Sequence, residues 1–315
     1  MTYTAFLIRS NGDPDRALRL LDKAQGIDNL NAYVVLDCTA GAEAKESSIV
    51  SACGSENVIK LTMEFITQFK LAYFARATWQ CGDYFYYRAY EAFPNYDYYW
   101  LSDDDVEFGV DFDSFITKSC NVECDLLGME VGRRGPNWSW YKSMASKYPD
   151  AVYGMLYPLS RLSNRALKLL FEKRSLYKSD LPESVYHKSR ALISGHANDE
   201  AFTATTLINN GYTARSLYQE FKGPLSGYFS TERPILNEEL GMPHLAEKII
   251  HPVCTRARAR EKFNIMYAKY GPEKMLKRAE EITEFCGEAV WLDCFDKTVH
   301  ELRAEVTAAQ LASRS

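Results

Sequence analysis

The chain contains no run of about 18 consecutive apolar residues, so nothing in it reads as a membrane-spanning helix. Near the N-terminus the apolar run Ala5 to Ile8 stops at Arg9, which suits a first β-strand better than a signal peptide. No glycine-rich dinucleotide fingerprint follows that strand, and no phosphate-binding Walker A loop occurs. Both absences argue against nicotinamide-dependent enzymes and P-loop kinases. Positive charge is not in excess either: the net charge is −5, which excludes a general nucleic-acid binder. The 8 cysteines are scattered and none forms a CxxC pair. Cys120 and Cys124 have no histidine or cysteine pair nearby at zinc spacing, so reduced thiols in a cytoplasmic protein are expected.

Material for a large core is plentiful. The 315 residues are 46% hydrophobic and 25% charged, as in an ordinary globular protein of one large or two small domains. The 21 tyrosines and 16 phenylalanines suit sugar-binding surfaces, but fill cores more commonly. Tyr3 to Ile8 reads as a strand. Asp13 can cap a helix with Pro14 at its first position, and Gly26 closes it. Ala32 to Leu36 reads as a second strand and Val58 to Leu61 as a third. Strand, helix, strand at this distance implies a parallel α/β sheet. Asp37, at the end of the second strand, lies where such sheets bind ligands.

The central stretch is Asp97-Tyr-Tyr-Trp-Leu-Ser-Asp103-Asp104-Asp105-Val106. Its aromatic half has high strand propensity, and three carboxylates stand where that strand runs out. Adjacent carboxylates repel and call for a cation. Alternation along a strand would put Asp103 and Asp105 on one face and Asp104 on the other. Two oxygen ligands so spaced suit Mg²⁺ or Mn²⁺ carrying a diphosphate. The alternative is a solvated acidic turn.

Further along, a helix from Asp83 ends before Pro94, and Phe112 to Ile116 is a short helix. Cys124 to Glu130 reads as a strand leading into a loop with Arg133, Arg134, Trp138 and Trp140. Tryptophan faces stack on sugars and arginines pair with anions, so this loop suits an acceptor; a lid hinge is the alternative. Ser163 caps a helix from Arg165 to Phe171. Ile193-Ser-Gly-His196-Ala-Asn198-Asp199-Glu200 is a glycine turn whose acidic end opens a helix to Ile208; capping alone would explain those acids. A strand from Gly211 to Tyr218 precedes a Gly- and Pro-containing loop, Phe221 to Met242. His251 ends a short apolar strand. The basic run Arg256, Arg258, Arg260, Lys262 suits either a diphosphate or a solvated helix face. The C-terminal part is helical, with an apolar stripe from Val290 to Val306 that fits core packing or a dimer contact.

A hydrophobic strand ending in Asp-x-Asp resembles the nucleotide-sugar site of GT-A-fold glycosyltransferases. Arg161-Leu-Ser163-x-x-Ala166-Leu, the Asp199-Glu200 helix start and His251-Pro-Val match segments of that family as well. The resemblance implies an α/β, GT-A-like, Rossmann-type mixed and mainly parallel sheet flanked by helices. The expected division is a catalytic domain over 1–255 and a helical extension over 256–315. It implies a metal-dependent enzyme of the hexosyltransferase type, inverting by preference, with a retaining mechanism left open. The donor would be a nucleotide-diphosphate sugar, UDP-linked by preference, and the acceptor a glycan or lipid-linked glycan, as in bacterial surface polysaccharide synthesis. Asp103, Asp105 and His251 would hold Mn²⁺ or Mg²⁺. Asp103, Asp104, Asp83, Tyr84, Arg88 and Arg9 would contact the nucleotide. Glu200 would be the base, with Asp199 as its substitute, and Arg161 would reach a phosphate. Alternatives from the residues themselves are core packing for Tyr84 and a surface salt bridge for Arg88. The family usually carries a membrane anchor in the Golgi; without one, a bacterial-type cytoplasmic enzyme, peripheral to the inner membrane face, or an excised catalytic domain is expected. Rival readings are a nucleotidyltransferase acting on sugar phosphates, for which the loop after Arg9 is a poor match, and a non-catalytic carbohydrate-binding module.

Overall fold

Burial on both faces is what turns the first apolar run into a central strand. Thr4–Ser10 (β1) is buried throughout except Arg9, which is partly exposed near its end. The computed structural model describes residues 2–41, 43–74, 76–177, 196–227 and 234–312. These fall into two compact units, Met1–Asp104 with Phe112–Lys222, and Asp105–Asp111 with Gly223–Ser315. The expected boundary near residue 255 lies inside the second of these.

In the first unit Asp13 caps helix Pro14–Ala24 (α1), accepting from the Arg16 N–H at 3.2 Å, and the chain returns as Leu30–Asp37 (β2). Glu43–Cys53 (α2) leads to Val58–Leu61 (β3), and Thr62 caps Met63–Gln68 (α3). Ala77–Gln80 (α4) and Asp83–Ala92 (α5) precede Tyr98–Asp103 (β4). In the second unit Glu107–Phe108 is β5. The first unit resumes with Phe112–Cys120 (α6), Leu126–Arg133 (β6), Tyr141–Ala145 (α7), Tyr153–Ser163 (β7) and Asn164–Ser175 (α8). Asp199–Asn209 (α9), Ala214–Ser216 (β8) and Leu217–Glu220 (α10) complete it.

Among the described residues, seven strands of this unit form one sheet in the order β3-β2-β1-β4-β7-β6-β8. All run parallel except β7, which is antiparallel to β4 and β6. The mixed, mainly parallel α/β sheet is the expected one. Strand β7 was not expected. Pro158 and polar Ser160 and Arg161 mask its pattern, and a register shift opposite Gly128 and Met129 accommodates the proline's missing donor.

In the second unit Ile235–Leu236 (β9) pairs with Val253–Cys254 (β11), and β5 pairs with Ile249–Ile250 (β10). The stretch expected as one long loop, Phe221 to Met242, thus contributes a strand. Helices Arg256–Tyr270 (α11), Pro272–Cys286 (α12), Glu288–Cys294 (α13) and Val299–Ala312 (α14) follow. Their apolar faces bury Phe263, Ile282, Trp291 and Leu302 against Leu236 and Cys254. The expected apolar stripe is therefore core packing shared between two helices. No helix among the described residues is long and apolar enough to cross a membrane.

Candidate active site

Parallel pairing of β1 with β4 sets Arg9 beside Asp103 at the carboxyl edge of the sheet. The Arg9 Nη2 donates to Asp103 Oδ2 at 2.6 Å, and both side chains are 14% exposed. One residue on, Ser10 Oγ donates to Asp104 Oδ2 at 2.7 Å, while the Asp104 N–H binds the Arg9 carbonyl at 3.1 Å. Asp37 closes a turn at the end of β2, accepting from the Thr39 N–H at 3.0 Å and hydroxyl at 2.6 Å.

The expected alternation of the three aspartates stops short. Strand β4 ends at Asp103, and Asp104 and Asp105 form a turn, so pleating does not fix where Asp105 points. In the second unit the Asp105 carbonyl accepts from the Val253 N–H at 2.9 Å. His251 Nε2 then lies 3.4 Å from Asp105 Oδ1, a buried oxygen that accepts no hydrogen bond among the described residues. A hard carboxylate oxygen so placed beside an imidazole nitrogen is a donor pair that suits a divalent ion.

Helix α9 brings the second acidic feature. Asn198 caps it, its Oδ1 accepting from the Ala201 N–H at 3.0 Å. Asp199 is buried and accepts from the N–H of Gly82 at 2.8 Å and of Glu200 at 2.7 Å. Arg9 Nη1 is 3.8 Å from Asp199 Oδ2, so Arg9 spans from the strand edge to this helix start. Burial, then the charge of Glu200, pushes the Asp199 carboxyl well above its ordinary range; Arg9 opposes that shift. Glu200 is half-buried, and burial raises it to about 7 against the opposing effects of Asn198 and Arg134. Asn198 Nδ2 donates to Glu200 Oε2 at 3.3 Å. A carboxyl poised near neutrality can exchange a proton at physiological pH.

Arg134, whose charge is felt at Glu200, belongs to the tryptophan-bearing loop. It lies over the Trp138 ring at 5.4 Å and donates to the Glu130 carbonyl at 2.8 Å. Trp138 packs on Gly154, where a Cβ would come within 2.4 Å of the indole. The aromatic loop and α9 therefore share one side of this unit.

Other expected site residues are used differently. Asp83 is fully buried, its oxygens taken by Arg174 Nε at 2.6 Å and Nη2 at 3.0 Å and by the Tyr87 hydroxyl at 2.9 Å. A carboxylate so enclosed has no face left for a nucleotide. Tyr84 is equally buried and donates to the Ala72 carbonyl at 2.9 Å, which is core packing. Arg88 makes the alternative salt bridge, with Glu91, and donates to the Lys60 carbonyl at 2.8 Å. Arg161 reaches no phosphate site: it is fully buried under Tyr98 and donates to the Ser119, Val122 and Cys124 carbonyls. His196 is 1% exposed between the Phe74 and Tyr177 rings, and burial lowers it to about 3. Ile193, Ser194 and Gly195 of the same segment lie outside the described residues. In the second unit Arg256 pairs with Glu238 and Asp293, and Arg260 with Asp296, so these members of the basic run belong to a paired helix face. Arg174 is the residue that reading by pattern missed. An arginine in the last turn of a helix looks like a solvated cation, and nothing local shows that it is buried.

No family model matches the chain, and no curated protein does. Solved structures similar to it include a glycosyltransferase involved in glycosylation of the major capsid of PBCV-1 (11% identity, 84% of this chain and 99% of that one, TM-score 0.40). Others are an active-site mutant of LgtC (11% identity, 80% and 86%, TM-score 0.37) and a 4-diphosphocytidyl-2C-methyl-D-erythritol synthase from Anaerococcus prevotii (10% identity, 66% and 96%, TM-score 0.34). At such identities no residue's role passes from them to this chain.

Proposed function

We propose that the chain is a metal-dependent glycosyltransferase that moves a sugar from a nucleotide-diphosphate donor to a hydroxyl of a glycan or lipid-linked glycan. The observation that carries this reading is the carboxyl edge of the sheet. There Asp103 ends β4, Asp104 opens the turn after it, and α9 opens with Glu200 held near neutral pKa. Asp105 and His251 suit Mn²⁺ or Mg²⁺ by their donor set, and Asp103 joins them because a single residue separates it from Asp105 in the chain. When bound, such an ion neutralises the diphosphate and stabilises it as a leaving group. Asp104 and Arg9 are assigned to the nucleotide side of the site, and a UDP-linked donor is preferred.

Glu200 is the base in this reading. Its carboxylate takes the proton of the acceptor hydroxyl as that oxygen attacks the anomeric carbon. The bond from that carbon to the diphosphate breaks, and its electron pair leaves with the nucleoside diphosphate. A single displacement of this kind inverts the anomeric centre. The tryptophan loop, with Arg133, Trp138 and Trp140, is assigned to the acceptor. Cytoplasmic location, peripheral to the inner membrane face, and a homodimer through the C-terminal helices complete the proposal; exposed Ile265, Phe285 and Leu311 support the last.

A panel of nucleotide sugars with Mn²⁺, scored for nucleoside diphosphate release and transfer, tests the reading. One donor should be cleaved. Asp105→Ala should lower that rate at least about 100-fold, as expected when metal assistance to a leaving group is lost. Pyrophosphate release from a nucleoside triphosphate and a sugar phosphate would point to nucleotidyl transfer instead. Failure to bind any nucleotide would leave only a carbohydrate-binding module. Retention at the anomeric centre, read by proton NMR of the product, would remove Glu200 as an in-line base.

A further inference from the structure

Arg9 occupies a niche shaped around its guanidinium. The Phe85 ring lies 5.7 Å below it. Gly82 leaves just enough room on another side: a Cβ there would stand 2.0 Å from Arg9 Nη1 and 2.7 Å from Asp199 Oδ2. From this niche one nitrogen takes Asp103 Oδ2 at 2.6 Å and the other faces Asp199 Oδ2 at 3.8 Å. One positive charge thus serves two carboxylates, from β4 and from the first turn of α9. The contact to Asp103 is a charge-assisted hydrogen bond, strong where water is scarce; at 3.8 Å Arg9 acts on Asp199, whose side chain is only 6% exposed, through its charge alone.

We propose that Arg9 is the resident counter-cation of the site, holding Asp103 and Asp199 together in the metal-free protein and competing with a divalent ion for Asp103. The inference rests on the metal reading above. Arg9 holds Asp103 through Oδ2 at 2.6 Å, so an ion reaching the same carboxylate through Oδ1 would share it with the guanidinium, and the two like charges would compete for it. Once Asp103 is drawn to a dication, the charge of Arg9 is left to Asp199. Metal loading is then felt at the helix start that carries Glu200. Arg9 is accordingly a positioning residue for the base end of the site, beyond any contact with the nucleotide.

Two effects of removing Arg9 separate competition from simple bracing. A brace, once removed, leaves Asp103 misplaced and metal binding weaker. A competitor, once removed, leaves metal binding stronger, because a like charge beside the ion is gone. Calorimetric titration of Mn²⁺, without nucleotide, into the unaltered chain, Arg9→Gln and Arg9→Lys reads this directly. Arg9→Gln should bind Mn²⁺ about tenfold tighter, the direction set by like-charge repulsion, while transfer falls. Arg9→Lys, which keeps the charge, should stay near the unaltered affinity. Binding to Arg9→Gln no tighter than to the unaltered chain would overturn the inference alone. An absence of Mn²⁺ binding in all three would overturn the metal reading and this inference with it. Should Arg9→Gln fail to melt cooperatively, the unaltered chain still decides: saturating Mg²⁺ should shift the Arg9 Nε–H resonance, and an unmoved resonance would overturn the competition.

Discussion

Glu200 carries the sharpest expectation for a single residue. Its carboxyl is raised to about 7, burial being the main cause. If it is the base, the transfer rate should climb with pH through about 7 and then level, and Glu200→Gln should lose about 10²- to 10⁴-fold of the rate while donor binding persists. The same shift has a sign in stability. An acid raised in the folded state binds more protons folded than unfolded between its ordinary value and about 7, so stability falls as pH rises through that window. Above it the cost of a charged, half-buried Glu200 is fully present. Glu200→Gln should therefore be more stable than the unaltered chain at pH 8.5, by roughly 1–3 kcal/mol, and no more stable at pH 4. Urea titrations at the two pH values measure this. Equal stability at both would show that the carboxyl is not raised. The resemblance names Glu200 as the base, but its raised carboxyl is not legible in sequence: Asp-Glu at a helix start is common, and only burial separates a cap from a tuned acid.

At the level of elements, α5, α8 and the entry to α9 are fastened together by one buried pair. Arg174 is 1% exposed and Asp83 fully buried; Arg174 also donates to the Ala197 carbonyl at 2.9 Å, two residues before Asp199. Removing one member leaves the other charge buried without its partner. Arg174→Met should cost about 3–5 kcal/mol of stability in urea unfolding, and the double variant with Asp83→Leu should recover a large part of it. A cost under about 1 kcal/mol would mean that water reaches the pair. Sequence reading found α5 because Asp83 and Pro94 bracket it, and α8 because Ser163 caps it at 3.3 Å from the Ala166 N–H. In sequence Asp83 reads as a nucleotide contact, because its partner Arg174 stands 91 residues away.

For the whole molecule, the second unit gathers chain from two places, Asp105–Asp111 and Gly223–Ser315. Its core joins Leu236 and Cys254 to Phe263, Ile282 and Trp291 of the C-terminal helices. Inside it Arg278 pairs with Glu239 and donates to the Pro234 carbonyl at 3.0 Å. The helices after residue 255 are therefore a C-terminal extension whose apolar faces belong to this core. A chain ending at Thr255 should expose that apolar face, bind a hydrophobic dye and aggregate on size-exclusion chromatography. A monodisperse, dye-free product would show that β9 to β11 pack without the helices.

Taken alone, the order of residues determined the local facts. Periodicity separated strands from helices, and Asp13, Ser163 and the Asn198-Asp199-Glu200 start marked where helices begin. The acidic run after an aromatic strand marked the edge proposed as the metal site. Each of these signals acts over a turn or a pleat, a few residues at most. The tertiary structure decided which charges meet. It set Arg9 on Asp103 across 94 residues, brought His251 to Asp105, and buried Asp83, Tyr84 and Arg161 in the core. A side chain's protonation and partners depend on what else shares its low-dielectric surroundings, and chain neighbours do not determine that.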